Sequence, residues 1–254
     1  MIVNSFLEYL RFERNYSEHT LTAYKKDLNS FHEFCVNEFD LENLVGVNYS
    51  QIRSWIVLLV DDGISNNSIN RKVSSLKSFY KFLQKTRQIT QNPLVKHKAL
   101  KVAKKVQVPF TIKEVNEVIE ALGQGNDFTS LRNKLIVELF YSTGMRRAEL
   151  IGLKINAVHI ETQSLKVLGK RNKERLIPLI PSVVNTIRNY LIVRQEMKLE
   201  TDFLLVTEKG NKIYETLVYR VINNYFSKVS TKVKKSPHIL RHSFATHLLN
   251  QGAD

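Results

Sequence analysis

Three short stretches in the second half of the sequence carry most of its information. They are Thr143-Gly144-Met145-Arg146-Arg147-Ala148-Glu149-Leu150, Gly169-Lys170-Arg171-Asn172-Lys173-Glu174-Arg175 and His238-Ile239-Leu240-Arg241-His242. Each sets a cation or an imidazole beside residues that are typical of turns and helix starts. Guanidiniums bind phosphate oxygens through paired N–H groups, and a lysine or histidine can transfer a proton. Brought to one point, these side chains would suit a phosphodiester that is undergoing attack.

The overall charge favours a polyanionic partner. The 254 residues include 38 Lys and Arg against 24 Asp and Glu, which gives a formal net charge of +14. A basic surface that binds nothing is the alternative, because charge bears on association and not on fold. The single cysteine, Cys35, excludes an internal disulfide and fits a reducing cytosol, so we expect a cytoplasmic protein. The longest apolar run, Ile56 to Val60, is too short to span a bilayer.

Residues 1–92 predict a small bundle of helices. Apolar residues recur at helical spacing in four segments: Val3 to Asn15, a stretch capped at Ser17, Ser50 to Asp61, and a stretch that begins at Ser65. The outer face of the fourth helix carries Arg71, Lys72 and Lys77, which are candidate contacts for such a polyanion. Residues 93–109 predict a basic linker that contains the further candidates Lys101, Lys104 and Lys105. This linker could lie along a phosphate backbone or could simply be solvated.

Residues 110–254 predict a second domain that mixes helices with a few short strands. The predicted helices are Thr111–Leu122, Leu131–Tyr141, Arg146–Leu153, Ser182–Lys198, Tyr214–Val229 and Ile239–Asn250, and the predicted strands are Val158–Ile160, Ser164–Leu168 and Arg175–Ile180. The expected fold class is therefore mainly α in two domains, with a helical bundle followed by an α+β domain that holds a small antiparallel sheet.

Several common chemistries leave no signature in this sequence. There is no glycine-rich loop that ends in Lys-Ser or Lys-Thr, and no Gly-x-Gly-x-x-Gly pattern for a dinucleotide. Acidic residues do not cluster as a two-metal nuclease requires, and one cysteine with scattered histidines makes no zinc site. The sequence thus predicts neither a cofactor nor a metal.

The sequence resembles the tyrosine recombinases, and within them the bacterial Xer recombinases that resolve chromosome dimers. The resemblance covers nearly the whole chain and is most specific at Ser236-Pro237-His238-Ile239-Leu240-Arg241-His242-Ser243-Phe244-Ala245-Thr246-His247. It also includes the segments Glu13–Ser17, Leu76–Leu83, Tyr141–Arg146, Glu149–Leu153 and Gly169–Arg175. It implies a SAM-like core-binding domain before the catalytic domain, which together would form a C-shaped clamp on double-stranded DNA.

The resemblance also implies roles for four residues. Arg146 and Arg241 would clamp the scissile phosphate, Lys170 would protonate the departing 5′-oxygen, and His238 would assist proton transfer or bind the phosphate. The family forms a 3′-phosphotyrosyl intermediate, and its members assemble as homo- or hetero-tetramers on DNA. Glu149 would brace the site, and no metal or cofactor is implied.

Two departures from the family pattern stand out. Arg171 replaces the glycine that many relatives carry after the turn lysine, and it could stiffen the turn or add a phosphate contact. The family pattern continues beyond the position of Asp254 with a further phosphate-binding residue and the nucleophilic tyrosine, so we expect residues 1–254 to bind DNA without cleaving it. Three alternatives stay open: a truncated regulator that only binds recombination sites, a mobile-element integrase, and a type IB topoisomerase. The Xer-like N-terminal domain argues against the topoisomerase.

Overall fold

The chain consists of two compact units, residues 1–105 and 106–254. The computed structural model describes residues 2–103, 106–169 and 173–252. Four predicted site residues, Lys104, Lys105, Lys170 and Arg171, lie outside the described residues.

Within residues 2–103, the first unit contains four α-helices, which are α1 (Ile2–Glu8), α2 (Glu18–Phe39), α3 (Tyr49–Asp61) and α4 (Asn66–Lys85). The prediction of one continuous first helix is wrong in detail, because α1 passes into a π-helical turn at Tyr9–Glu13. The chain then leaves the helix at Asn15, whose φ of 50° lies in the left-handed region. Polar side chains cap the next three helices: Ser17, Asn48 and Ser65 each accept a backbone N–H of the first turn.

Aromatic side chains fill the core of this unit. Trp55 of α3 lies against Phe31 of α2 with ring centroids 4.9 Å apart, and both residues are buried. Tyr80 of α4 is also buried, and its hydroxyl donates to the backbone oxygen of Leu44 at 3.1 Å. The polar end of this large side chain is therefore satisfied inside the core.

One acidic side chain is buried among these helices. Asp27 of α2 is 1% exposed, and its carboxylate accepts two hydrogen bonds from the Arg71 guanidinium at 2.6 and 2.8 Å. Ser75 donates a third bond at 2.8 Å, and the Lys72 ammonium lies 3.4 Å away. A buried carboxylate needs such partners, so Asp27 ties α4 to α2 through charge as well as packing.

The segment that follows α4 packs against the same unit over part of its length. Leu94 is fully buried in the helical core. Asn70 binds both backbone groups of Leu100, accepting its N–H and donating to its carbonyl oxygen, each at 2.9 Å. Asn66 donates to the carbonyl oxygen of Lys101 at 2.8 Å. The first part of the predicted linker is thus held along α4 by side-chain amides.

The second unit contains six α-helices, one short 3-10 helix at Ile155–Ala157 and three strands among the described residues. They are α5 (Ile112–Leu122), α6 (Phe128–Thr143), α7 (Arg147–Ile151), β1 (Val158–His159), β2 (Ser164–Leu168), β3 (Glu174–Pro178), α8 (Pro181–Glu196), α9 (Glu215–Val229) and α10 (Pro237–Asn250). The strands form an antiparallel sheet in the order β1-β2-β3, with Val167 opposite Arg175. The predicted fold class, mainly α with a small antiparallel sheet, is confirmed.

Helix α6 lies at the centre of this unit and packs against α5, α8 and α10. Ten of its residues are buried, which explains why its sequence is apolar without a helical period. Phe110, just before α5, stacks on Phe226 of α9 with centroids 4.0 Å apart, and its N–H donates to Ser243 of α10 at 2.8 Å. The start of the unit is therefore fastened to its last helix.

Gly144 ends α6 in a conformation that only glycine adopts easily. Its φ is +57°, and a Cβ at this position would lie 2.3 Å from Cδ1 of Phe244 on α10. The glycine thus lets α10 approach the α6–α7 corner closely.

We expect Gly144→Ala to lower the free energy of unfolding by about 2–5 kcal/mol, because left-handed strain adds to overpacking against Phe244. Urea unfolding followed by circular dichroism measures this. Gly63→Ala is the matched control, since Gly63 also has a positive φ of 73° but open space around it. The control should cost only about 1 kcal/mol from strain alone. Equal losses in the two variants would contradict the proposed close approach.

Candidate active site

The first predicted arginine stands at the corner between α6 and α7. Arg146 is the N-cap residue of α7, and the carboxylate of Glu149 accepts its backbone N–H at 2.8 Å. The same carboxylate accepts the Arg146 guanidinium at 2.8 Å. The side chain of Arg146 is half exposed, so one side of its guanidinium is held while the rest faces solvent.

A second guanidinium holds the same carboxylate from the sheet. Arg175 of β3 donates to both oxygens of Glu149, at 3.1 and 2.7 Å. Only 5% of the Glu149 side chain is exposed. Burial alone would raise the pKa of this carboxyl, but the hydrogen bonds from Arg175 and Arg146 outweigh burial and lower the pKa to about 2. Glu149 is therefore ionised at neutral pH and fully engaged by two arginines.

The second predicted arginine faces this cluster from α10. Burial is the main cause that lowers the pKa of Arg241, and the positive charge of nearby Arg146 is the next. The Nη1 atom of Arg241 is buried and has no hydrogen-bond partner among the described residues. His238 lies three positions earlier on α10, so it shares a helix face with Arg241 and is exposed to solvent.

The structure thus brings Arg146 and Arg241 together, with Arg175 as a third cation. Arginine stays protonated in proteins, so the two guanidiniums that bind Glu149, together with the nearby charge of Arg241, leave the cluster with an excess of positive charge. Fixed cations of this kind stabilise an anion without reorganising, which suits a phosphate whose negative charge grows during reaction. The arrangement is chemically an oxyanion clamp.

Gly169, the last described residue before Lys170 in the sequence, lies beside the arginine–carboxylate cluster. The N–H of Gly169 donates to the carbonyl oxygen of Lys173 at 2.7 Å, which closes the turn between β2 and β3. A Cβ on Gly169 would lie 3.1 Å from Nη1 of Arg175 and 3.7 Å from Oε1 of Glu149. The residue directly before Lys170 in the sequence therefore contacts the arginine–carboxylate cluster.

The tyrosine nearest in sequence to the first arginine is already engaged. The hydroxyl of Tyr141 lies 2.9 Å from Nδ1 of His247 on α10, and burial raises the pKa of this tyrosine. Tyr190 of α8 is fully buried, and its hydroxyl accepts the N–H of Val206. His247 thus has a hydrogen-bond contact to α6.

The candidate DNA-contacting residues of the first unit differ in whether their charges already pair with an acidic side chain. Arg71 and Lys72 both pair with Asp27, and the Lys72 ammonium also lies 5.8 Å from the centre of the Trp55 ring. Lys77 and Lys101 are exposed. The structure therefore gives Arg71 and Lys72 an internal partner that their sequence position did not reveal.

Metal and membrane features can be assessed within residues 2–103, 106–169 and 173–252. No three His, Cys, Asp or Glu side chains in these ranges are grouped so that they could hold a metal ion. In the same ranges no helix combines the length and the apolar character needed to cross a membrane.

Comparison with known proteins identifies the family. Residues 109–254 match the phage integrase family, and residues 3–87 match the phage integrase N-terminal SAM-like domain. This chain belongs to the phage integrase family of tyrosine recombinases. The resemblance inferred from the sequence motifs is thereby confirmed, and so is the SAM-like character of the N-terminal helices.

Curated relatives match this recombinase over almost its whole length. The tyrosine recombinase XerC of Anoxybacillus flavithermus is 34% identical over 263 residues, which cover 99% of this chain and 85% of the relative. The XerC of Staphylococcus epidermidis is 36% identical over 255 residues, covering 100% and 85%. The solved structure of the XerH site-specific recombinase bound to palindromic difH substrate has a TM-score of 0.76 at 20% identity, over 99% of this chain and 75% of that one.

Sequence reasoning named the recombinase arginines but gave Arg175 no role. The residue was visible at the end of the second stretch, yet its partner Glu149 is 26 positions away. The sequence showed only a basic residue at the start of a predicted strand and a single acidic residue in the stretch Thr143–Leu150. Nothing in that pattern indicated that the two residues pair. Such a pairing depends on how the sheet lies against α7, which a residue pattern does not encode.

We expect the stability of this recombinase to fall in acid partly because Glu149 must be protonated. Its pKa is depressed from 4.5 to about 2, so its contribution is present above pH 4.5 and is lost as the pH falls towards 2. Glu149→Gln should therefore flatten the dependence of unfolding free energy on pH in this window, by up to about 3 kcal/mol.

Urea unfolding at several pH values between 2 and 7 measures this dependence. Glu114, whose pKa is also lowered to about 2, keeps part of the acid sensitivity in the variant. Glu120→Gln, an exposed position on α5, is the control and should follow the unaltered protein. An acid dependence that Glu149→Gln leaves unchanged would refute the role of the two arginines.

Proposed function

We propose that this tyrosine recombinase cuts and rejoins double-stranded DNA at specific sites, as an Xer-type enzyme that resolves chromosome dimers. One observation supports the proposal most strongly. Two arginines from distant parts of the chain, Arg146 and Arg241, lie close enough for their charges to interact, and the single negative charge of Glu149 leaves their combined charge positive. A DNA phosphate would supply the negative charge that balances the two arginines.

In the proposed reaction Arg146 and Arg241 hold the non-bridging oxygens of the scissile phosphate. A tyrosine oxygen attacks phosphorus, and its proton leaves to a base or to water. The bond from phosphorus to the 5′-oxygen breaks, while negative charge builds on the non-bridging oxygens and is stabilised by the guanidiniums. The resulting 3′-phosphotyrosyl ester keeps the bond energy, so the strand can be rejoined by the reverse step.

Lys170 and His238 are the proposed proton-transfer residues. We assign Lys170 as the acid that gives its proton to the departing 5′-oxygen, because it follows Gly169, which lies beside the arginine cluster. His238 shares a face of α10 with Arg241, so it can bind the same phosphate or assist the attacking hydroxyl.

The attacking tyrosine is not assigned to any tyrosine of residues 1–254. Tyr141 is bonded to His247, and Tyr190 is buried in the core, so neither is proposed as the nucleophile. We expect a polypeptide of residues 1–254 to bind duplex DNA and to form no covalent adduct with nicked DNA. A covalent adduct would show that one of these tyrosines is the nucleophile after all.

DNA binding is proposed to rest on basic residues of both units. Lys77 and Lys101 are exposed and carry the proposal best in the first unit, whereas Arg71 and Lys72 already neutralise Asp27. Lys104, Lys105 and Arg171 remain candidates from their sequence positions. Assembly as a tetramer on DNA, a cytoplasmic, nucleoid-associated location and chromosome dimer resolution are proposals from the family, with mobile-element integration as the alternative.

We expect residues 1–254 to bind duplex DNA of arbitrary sequence with a Kd on the order of 10⁻⁴–10⁻⁶ M at physiological salt. The logarithm of the binding constant, plotted against the logarithm of the salt concentration, should have a slope of about −0.9 per neutralised phosphate. Lys77→Ala should make this slope shallower by about 0.9. Lys85→Ala on the same helix is the control, because Lys85 already pairs with Glu13. Fluorescence anisotropy at several salt concentrations measures both slopes, and salt-insensitive binding would refute the proposed interface.

We expect Arg146→Ala or Arg241→Ala in the full-length gene product to slow DNA cleavage by roughly 10²–10³-fold, as removal of one oxyanion donor does. Nicked substrates that trap the covalent intermediate measure the rate. Arg188→Ala on α8 is the control, because its exposed guanidinium contacts only Asn185 among the described residues. A loss below about threefold would place these arginines outside the reacting site.

A further inference from the structure

We propose that a cleft between α6 and α9 binds an acidic peptide segment of a partner protein, and that Arg132 receives its carboxylate. The cleft has a volume of about 610 Å³ and is lined by residues of these two helices of the second unit. It contains none of the residues of the arginine–carboxylate cluster around Glu149. The proposed peptide site is therefore separate from the proposed recombination chemistry and does not depend on it.

The cleft contains a buried guanidinium whose charge has no carboxylate partner. Arg132 is only 5% exposed. Its Nε and Nη2 atoms donate to the side-chain oxygen of Asn133 at 3.2 and 3.0 Å, and that amide is neutral. Within the described part of the chain, no acidic side chain forms an ion pair with Arg132. A buried charge without a counter-charge is costly, so an anion that enters the cleft would gain a strong partner.

The acidic residues nearest to Arg132 already have other partners. Burial is the main cause that lowers the pKa of Arg132, and the more distant charges of Glu208 and Asp127 only partly offset it. The carboxylate of Asp127 accepts the N–H groups of Thr129 and Ser130 at the start of α6. Glu208 accepts the hydroxyl of Thr129 at 2.7 Å. Neither carboxylate lines the cleft, so the place of a direct anionic partner is left to a ligand.

Two further cations line the same cleft. Arg220 and Lys228 are exposed on α9. Arg220 donates to the hydroxyl of Tyr214 at 2.9 Å, and the Lys228 ammonium lies 5.5 Å from the centre of the Tyr225 ring. Among the described contacts neither cation pairs with an acid. The cleft thus gathers three positive charges, which favours an anionic ligand.

Apolar side chains beside these cations favour a peptide over the DNA backbone. Leu217, Val221 and Tyr225 also line the cleft. A peptide can place a carboxylate on a flexible stem against Arg132 and a neighbouring apolar side chain against this wall. The phosphates of duplex DNA stand on a stiff, polar backbone that offers no such apolar group.

The cleft lies away from the phosphate clamp. Arg132 is near the start of α6, whereas Thr143 ends this helix just before the corner that carries Arg146. An α-helix rises about 1.5 Å per residue, which puts Arg132 and Thr143 roughly 16 Å apart along the axis. A peptide in the cleft would therefore leave the clamp open to DNA.

The test uses random dodecapeptides displayed on phage and selected on the immobilised protein of residues 1–254. Excess duplex DNA is present during selection, so that peptides attracted to the DNA-binding surface are displaced. We expect the selected peptides to share an acidic residue beside an apolar one. A selected peptide is then synthesised with a fluorescein label, and its affinity is measured by fluorescence anisotropy.

We expect Arg132→Gln to weaken binding of this peptide by roughly 10- to 100-fold, the effect of losing a charge-assisted hydrogen bond. Changing the acidic residue of the peptide to its amide should cause a similar loss. Arg220→Ala and Lys228→Ala should each weaken binding several-fold, and as exposed positions they keep the test decisive if Arg132→Gln does not fold. Arg188→Ala removes an exposed arginine of α8, is the control and should bind the peptide normally.

Selected peptides without an acidic residue, or no selected peptide at all, would overturn the proposal. So would an affinity that Arg132→Gln and both α9 variants leave unchanged. If these variants instead weaken binding of duplex DNA and leave peptide binding intact, the cleft contacts the DNA backbone and the peptide site is refuted. No cleavage activity enters these measurements, so their outcome is independent of the proposed recombination.

Discussion

Glu149 places a negative charge where almost no water reaches it, between the α6–α7 corner, the β2–β3 hairpin and Arg241 of α10. A carboxylate in such a place is costly unless cations and N–H groups replace its hydration. Arg146 and Arg175 supply four hydrogen bonds from side chains and backbone together. By binding both arginines, this one carboxylate links β3 to the corner at the start of α7.

The first unit also buries a carboxylate and pairs it with cations, but there the cations belong to the fold. Asp27 is as deeply buried, and Arg71, Lys72 and Ser75 satisfy it. These cations stabilise the fold, because the carboxylate that they bind lies inside the helical core. In the second unit Arg241 has no carboxylate of its own in the described contacts and retains an unpaired buried N–H. The two basic clusters therefore differ in whether an internal carboxylate already pairs with each cation.

Most helices and all three strands could be predicted from the sequence, since caps such as Asn48 and apolar spacing act within a few residues. The predicted helix ends differ from the structure by a few residues, for example Leu131–Tyr141 against Phe128–Thr143. The π-helical turn at Tyr9–Glu13 could not be predicted, because its residues have ordinary helical spacing. Within the site the sequence indicated Arg146 and Arg241 through family motifs, but it did not indicate that Arg175 completes their cluster.

The sequence by itself determined the composition of the site, the family and the order of the elements, because motifs, caps and periodicity are local properties of the chain. Only the tertiary structure decided which of the basic side chains already pair with an internal carboxylate. Arg71 and Arg175 look alike in a list of basic residues, yet each binds a buried carboxylate 44 or 26 positions away. The free energy of burying an ion depends on what surrounds it in space, and that environment exists only once distant segments have packed together.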